Sequence, residues 1–175
     1  MKFGTKAIHA GLEPDPSTGA IMTPIFQTST YVQESPGTHK GYAYARGKNP
    51  TRNALEKNLA ALENGKHALC FSSGMGAIDA VVKLLRPGDE VITGDDLYGG
   101  SYRMFTKVFA HYGIKFHFIN MNDANNIKQY INSNTKLLWV ETPTNPTMQI
   151  IDIAACAEIA KANNLILAVD NTFAS

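Results

Sequence analysis

From Pro50 onward, short apolar runs alternate with longer amphipathic ones, and this alternation most limits how the chain can fold. The spacing predicts a helix over 51–64, where Leu55, Leu59 and Leu62 recur at helical intervals, Thr51 is placed to cap, and Gly65 follows the end. The apolar run 67–71 then leads, as a strand, through a glycine turn into a helix over 77–85, stopped by Pro87-Gly88. Strands are expected at 90–93, 114–119, 137–141 and 165–170, and helices at 101–112 and 153–162, with a weaker one from Asp123 to about Ile131. Strands separated by helices in this order make an α/β fold, a doubly wound and mostly parallel sheet covered by helices on both faces. The run 165–170 is apolar up to its final aspartate, so it is expected mid-sheet, buried on both faces.

The first 50 residues read differently. Pro14, Pro16, Pro24, Pro36 and Pro50 are too closely spaced for regular elements, yet Ile21, Ile25, Phe26, Tyr31, Val32, Tyr42 and Tyr44 are scattered among them. An irregular arm with that much apolar surface lies against something, either its own domain or a second subunit. The expected division is an extended, inter-subunit arm over 1–50 and the α/β domain over 51–175.

Composition excludes several classes. With 44% hydrophobic and 18% charged residues the chain is globular, neither disordered nor collagen-like. Lysine plus arginine number 16 against 15 acids, a net charge of +1 with no basic block, which offers no footprint for nucleic acid. The apolar runs fall far short of the ~20 residues of a membrane span. Cys70 and Cys156 are isolated, without a CxxC or a histidine cluster, and read as small buried residues in a reducing compartment; no metal site is expected. The start, Met1-Lys2-Phe3-Gly4-Thr5-Lys6, has no apolar stretch behind it, so no secretory signal is expected and the cytoplasm is the expected setting.

In such sheets chemistry gathers where strands end, and four loops carry candidates. In Ser72-Ser73-Gly74-Met75-Gly76, small residues leave backbone N–H groups open at a helix start, which suits a phosphate. The same glycines begin a dinucleotide fingerprint, but Asp79 stands at its third glycine position, which counts against a nicotinamide oxidoreductase. In Asp95-Asp96-Leu97-Tyr98-Gly99-Gly100, one acid is placed to cap the next helix, and Tyr98 is either core or a flat surface for a planar ligand. In Glu141-Thr142-Pro143-Thr144-Asn145-Pro146, two prolines make a rigid, exposed loop, and Asn145 either orients a ligand or closes an Asx turn. Asp170, ending an apolar strand, caps a helix or needs a cation: Mg²⁺, an arginine or a protonated ring nitrogen. A phosphate at Gly74, a ring at Tyr98, an oxygen at Asn145 and a ring cation at Asp170 together describe pyridoxal 5′-phosphate.

The sequence also resembles a known family. Thr28-Ser29-Thr30-Tyr31, Tyr44-Ala45-Arg46 with Asn49-Pro50-Thr51, Ser73-Gly74-Met75, Leu97-Tyr98-Gly99-Gly100, the 141–146 loop and Val169-Asp170-Asn171-Thr172 are similar to segments of the Cys/Met-metabolism (transsulfuration) enzymes that use pyridoxal phosphate. The likeness runs from about Thr5 to Ser175. It implies the large domain of the type I, aspartate-aminotransferase-like fold, incomplete in this chain, with the smaller C-terminal domain absent. It further implies that Ser73, Gly74 and Met75 hold the phosphate, Tyr98 stacks on the ring and assists proton transfer, Asn145 contacts the phenolic oxygen and Asp170 pairs with the ring nitrogen. Tyr44 and Arg46 would reach the phosphate of a neighbouring subunit's cofactor, in a homo-oligomer that is at least a dimer and typically a tetramer in this family. Arginine suits that place because its fork matches a phosphate.

Within the family, Tyr98-Gly99-Gly100-Ser101-Tyr102-Arg103 is most similar to cystathionine γ-synthases and γ-lyases, and Arg103 lies either near the substrate entrance or on a solvated helix face. Gly100 stands where methionine γ-lyases carry cysteine; that enzyme, O-acetylhomoserine sulfhydrylase and cystathionine β-lyase are the alternatives. The implied reaction is γ-elimination or γ-replacement on a sulfur amino acid or an activated homoserine. In the family the cofactor bonds to a lysine in a Ser/Thr-rich segment beyond the Asp-Asn-Thr strand, and no lysine between Lys2 and Lys161 has that context. The chain is therefore expected to be the front part of such an enzyme and inactive by itself. A non-catalytic module that binds a phosphate ligand is the alternative from another class.

Overall fold

The computed structural model describes residues 1–174. Ser175, the expected end of the α/β domain, lies outside the described residues. Two compact units divide between Phe71 and Ser72, rather than near residue 50. The reason is that the helix after Pro50 is tied to the chain before it.

In the first unit, α1 (Phe3–His9) packs on α2 (Pro50–Leu62). Lys6 Nζ donates to Ala61 O at 3.1 Å and to Asn64 Oδ1 at 2.6 Å, while Asn58 Nδ2 donates to Ala10 O at 2.9 Å. The proline-rich stretch is pinned to the start of α2, where Thr51 Oγ1 donates to Pro24 O and accepts from Phe26 N–H, both at 2.9 Å. With Thr51 so occupied, the cap of α2 is Asn49, whose side chain accepts from Thr51 N–H at 2.9 Å. A short hairpin, β1 (Gln33–Ser35) with β2 (Thr38–His39), completes the regular elements. No residue of α2 is buried, and Leu55 and Leu59 of its expected core stripe stay exposed.

The expected strand at 67–71 does not form. A strand exists only through its ladder partners, and among the described residues this segment has none. Leu69 is 75% exposed, and Cys70, expected to be buried, is only half-buried.

In the second unit, β3 (Glu90–Gly94), β4 (Lys115–Ile119), β5 (Thr135–Glu141) and β6 (Ile166–Asp170) form an all-parallel sheet in the order β4-β3-β5-β6. Alternation along the strands sends Val91, Leu137 and Trp139 to one face and Ile92, Leu138 and Val140 to the other. The first face is covered by α3 (Gly74–Val82) and α4 (Gly99–Lys107). Phe105 of α4 is its centre, stacked on Phe116 at 4.7 Å and edge-on to Trp139 at 5.6 Å. The second face is covered by α5 (Ile153–Ala162), capped by Asp152, and by a 3₁₀ turn at Ala124–Tyr130. This is the expected doubly wound α/β arrangement.

Three expectations change. The helix over 101–112 ends at Lys107 and resumes as a 3₁₀ turn at Phe109–Tyr112, since Val108 departs from helical geometry at φ −117°. The helix from Asp123 is 3₁₀ throughout, in keeping with the weak helix formers Asn125 and Asn126. Among the described residues β6 pairs with β5, and it is less buried than expected, with Ile166 44% exposed.

Candidate active site

The C-terminal ends of β3, β5 and β6 and the start of α3 surround a cavity of about 410 Å³. Ser73, Gly74, Met75, Tyr98, Asn145 and Asp170 all line it. These residues come from segments far apart in sequence, and the parallel sheet brings them together by placing its strand ends on one side.

The helix α3 starts at Gly74, three residues before its expected start at Ala77, because Ser73 caps it: Ser73 Oγ accepts from Gly76 N–H at 3.1 Å. The N–H groups of Gly74 and Met75 thus fall in the first turn, where a helix offers donors without partners of its own. A Cβ at Gly74 would meet nothing within 4 Å, and Gly74 and Met75 both line the cavity. Together with the helix dipole, this is a seat for an anion.

Neither Asp95 nor Asp96 caps α4; its N-cap residue is Tyr98, with no side-chain bond. Asp96 instead accepts the hydroxyls of Thr144 and Thr147, which hold its carboxyl below the usual range against the opposing effect of burial. It fastens the loop after β5 to the loop after β3. The loop after β5 is less exposed than its prolines suggest, since Thr142 and Thr144 are buried. Asn145 lies between Pro143 and Pro146, and its N–H donates to Glu141 Oε1 at 2.8 Å. Asp170 caps no helix: its Oδ1 accepts from Thr172 Oγ1 at 2.5 Å and from Thr172 N–H at 3.3 Å. The ion pairs among the described residues do not include it.

Arg103 is not among the residues that line the cavity. Arg103 is exposed on α4, its Nη1 turned back toward Gly99. Tyr44 and Arg46 belong to the first unit, where the Arg46 guanidinium carbon sits 5.1 Å from the centre of the Tyr44 ring. Among the described residues no group of three or more His, Cys, Asp or Glu could hold a metal ion.

Glu141 is the charged lining residue that the sequence left without a role. It ends β5, in register with Asp170 at the end of β6, and is buried. Burial pushes its carboxyl above the ordinary range, the Tyr98 and Asn145 N–H bonds draw it back, and Asp170 and Asp96 push it up again. The signal was available, because Glu141 closes an apolar strand as Asp170 does.

The donor set fits a ligand with an anionic end at α3 and a cationic ring atom at Asp170. A family model described as Cys/Met metabolism PLP-dependent enzyme matches residues 4–175. The chain belongs to this family. Within it, the chain is 51% identical over 172 residues to a cystathionine β-lyase of Coxiella burnetii, covering 98% of this chain and 44% of that protein. It is also 51% identical over 173 residues to a probable cystathionine γ-synthase of Herpetosiphon aurantiacus, covering 99% and 54%. The crystal structure of metB from Corynebacterium glutamicum superposes over 100% of this chain and 46% of that one, with a TM-score of 0.96 at 46% identity. The chain spans about half the length of the curated relatives it matches.

Proposed function

We propose that the cavity binds pyridoxal 5′-phosphate and that the chain supplies the cofactor side of a transsulfuration enzyme of the cystathionine γ-lyase or γ-synthase type. One observation carries this: a single cavity gathers the α3 start, Tyr98, Asn145 and Asp170. In this reading the first-turn N–H groups of Gly74 and Met75 bind the phosphate, and Ser73 holds that turn in place. Asp170 keeps a proton on the ring nitrogen, Asn145 orients the phenolic oxygen, and Tyr98 covers the ring and holds a proton for transfer. The cofactor's contribution when bound is an electron sink for negative charge at Cα of an amino-acid substrate.

The γ-specific part rests on the 98–103 segment, since identity is equal to a β-lyase and to a γ-synthase. Arg103 is assigned no part in holding the cofactor. Tyr44 and Arg46 are assigned to the phosphate of a second subunit's cofactor, in a cytoplasmic homo-oligomer of at least two chains.

Equilibrium dialysis tests the cofactor reading with pyridoxine 5′-phosphate, which keeps the ring, phenol and phosphate but has no aldehyde to bond to surface lysines. Saturable binding is expected, lost with unphosphorylated pyridoxine and weakened about tenfold or more by Asp170→Asn. Absence of saturable binding, or equal binding of both ligands, defeats the reading. Cystathionine supplied to the protein as its gene encodes it tests the reaction: γ-elimination leaves a four-carbon oxo acid and β-elimination a three-carbon one.

A further inference from the structure

Glu141 is 7% exposed, and the ion pairs among the described residues do not include it. The charged groups that act on it, Asp170 and Asp96, are both negative. A carboxylate so placed is costly unless strong donors meet it. Two backbone groups do. Oε1 accepts from Tyr98 N–H at 3.0 Å and from Asn145 N–H at 2.8 Å, and Oε2 accepts from Tyr98 N–H at 2.9 Å. These N–H groups belong to different loops, one after β3 and one after β5. The second tie between the same loops is also a carboxylate, Asp96 on Thr144 and Thr147.

An apolar side chain would fill the end of β5 without bringing a third acid beside Asp170 and Asp96. What a carboxylate adds is two acceptors on one rigid plane, able to hold two backbone segments at a set separation. We propose that Glu141 is a positioning residue for the pyridoxal phosphate cavity: by tying the Tyr98 backbone to the Asn145 backbone, it sets the width of the slot that receives the ring. This rests on the cofactor reading above. Glu141 touches the two loops and acts through them.

The consequence is a pH dependence. Protonation removes an acceptor from the tie, so ligand affinity falls as pH drops through the carboxyl's raised titration. Asp170 and Asp96 act on Glu141 through their charge, so Glu141→Asp, which keeps a carboxylate at this position, separates the loss of the tie from the loss of that charge.

Dialysis with pyridoxine 5′-phosphate across pH is compared for the wild-type chain, Glu141→Gln, Glu141→Asp and the exposed control Glu158→Gln. In parallel, the amide protons of Tyr98 and Asn145 are followed by NMR. In the wild type both amides are expected to titrate together, with the midpoint at which affinity falls. Glu141→Gln is expected to lose that shared titration and to weaken binding about 10- to 100-fold. Glu141→Asp keeps the charge but is one carbon short of reaching both amides, and it is expected not to restore binding. Glu158→Gln should bind as wild type. Wild-type affinity in Glu141→Gln or Glu141→Asp, or amides that titrate independently, overturns the proposal while leaving the cofactor reading intact. Failure of the wild type to bind overturns both. If the variants do not fold, the wild-type midpoints decide, and a mismatch between amides and affinity overturns it.

Discussion

The ring of Tyr98 lies so close over Gly100 that a Cβ there would stand 2.2 Å from Tyr98 Cε1 and 2.8 Å from Cζ. The glycine is therefore the seat of the ring. Gly100→Ala should gain up to about 1 kcal/mol in helix propensity within α4 and use part of it to push the ring outward. Tyr98 is 42% exposed, so it has room to move. The expected outcome is a melting temperature near that of the wild type with weaker pyridoxine 5′-phosphate binding. Unchanged binding would show that the ring's seat has no part in the site.

At the opposite end of β3, Glu90 accepts from Asn132 Nδ2 at 2.8 Å, lies 2.6 Å from His117 Nε2 and 3.5 Å from Lys115 Nζ. The Asn132 bond first, then the His117 bond, lower its carboxyl from 4.5 to about 2. A depressed folded value stabilises the fold above the unfolded value and is lost as pH falls through the folded one. Stability should therefore decline between about pH 4.5 and 2, and Glu90→Gln should flatten that decline while lowering stability at pH 6. Urea unfolding at stepped pH measures both; an unchanged acid limb in the variant would contradict it.

Phe105 is fully buried between Phe116 and Trp139. Phe105→Ala opens a cavity in the face covered by α3 and α4, and should cost about 3–5 kcal/mol. Denaturant titration reads the loss. A cost below about 1 kcal/mol would mean that this face is not packed as described.

Ser101, one turn before Phe105 on α4, is buried, and its hydroxyl has no hydrogen-bond partner among the described residues. Removing an unsatisfied buried hydroxyl from a helix also improves helix propensity. Ser101→Ala should leave stability unchanged or raise it by up to about 1 kcal/mol in the same titration. A clear loss would show that the hydroxyl has a partner.

Legibility in the sequence followed the range of each interaction. The bounds of α5 were readable because Asp152, the apolar spacing and the Asn163-Asn164 end all lie within one stretch of chain. Ser73 as a loop opener was readable, but its capping bond moved the start of α3 forward to Gly74. Thr51 looked like a cap because its residue type is right; its hydroxyl is taken by Pro24 and Phe26, and no local rule reaches that far. The 67–71 run has strand composition without a strand partner among the described residues.

The sequence by itself determined the alternation of elements, the parallel sheet it requires, and the residues that stand where strands end. Periodicity and strand-end position are properties of a short window, and each strand carries its own. The tertiary structure alone decided what those residues do to one another. Glu141 reaches Tyr98 across 43 residues and Asn145 across 4, and nothing in either segment says that one carboxylate will serve both. That pairing exists because the sheet sets the ends of β3 and β5 side by side, bringing two loops within reach of a single buried acid.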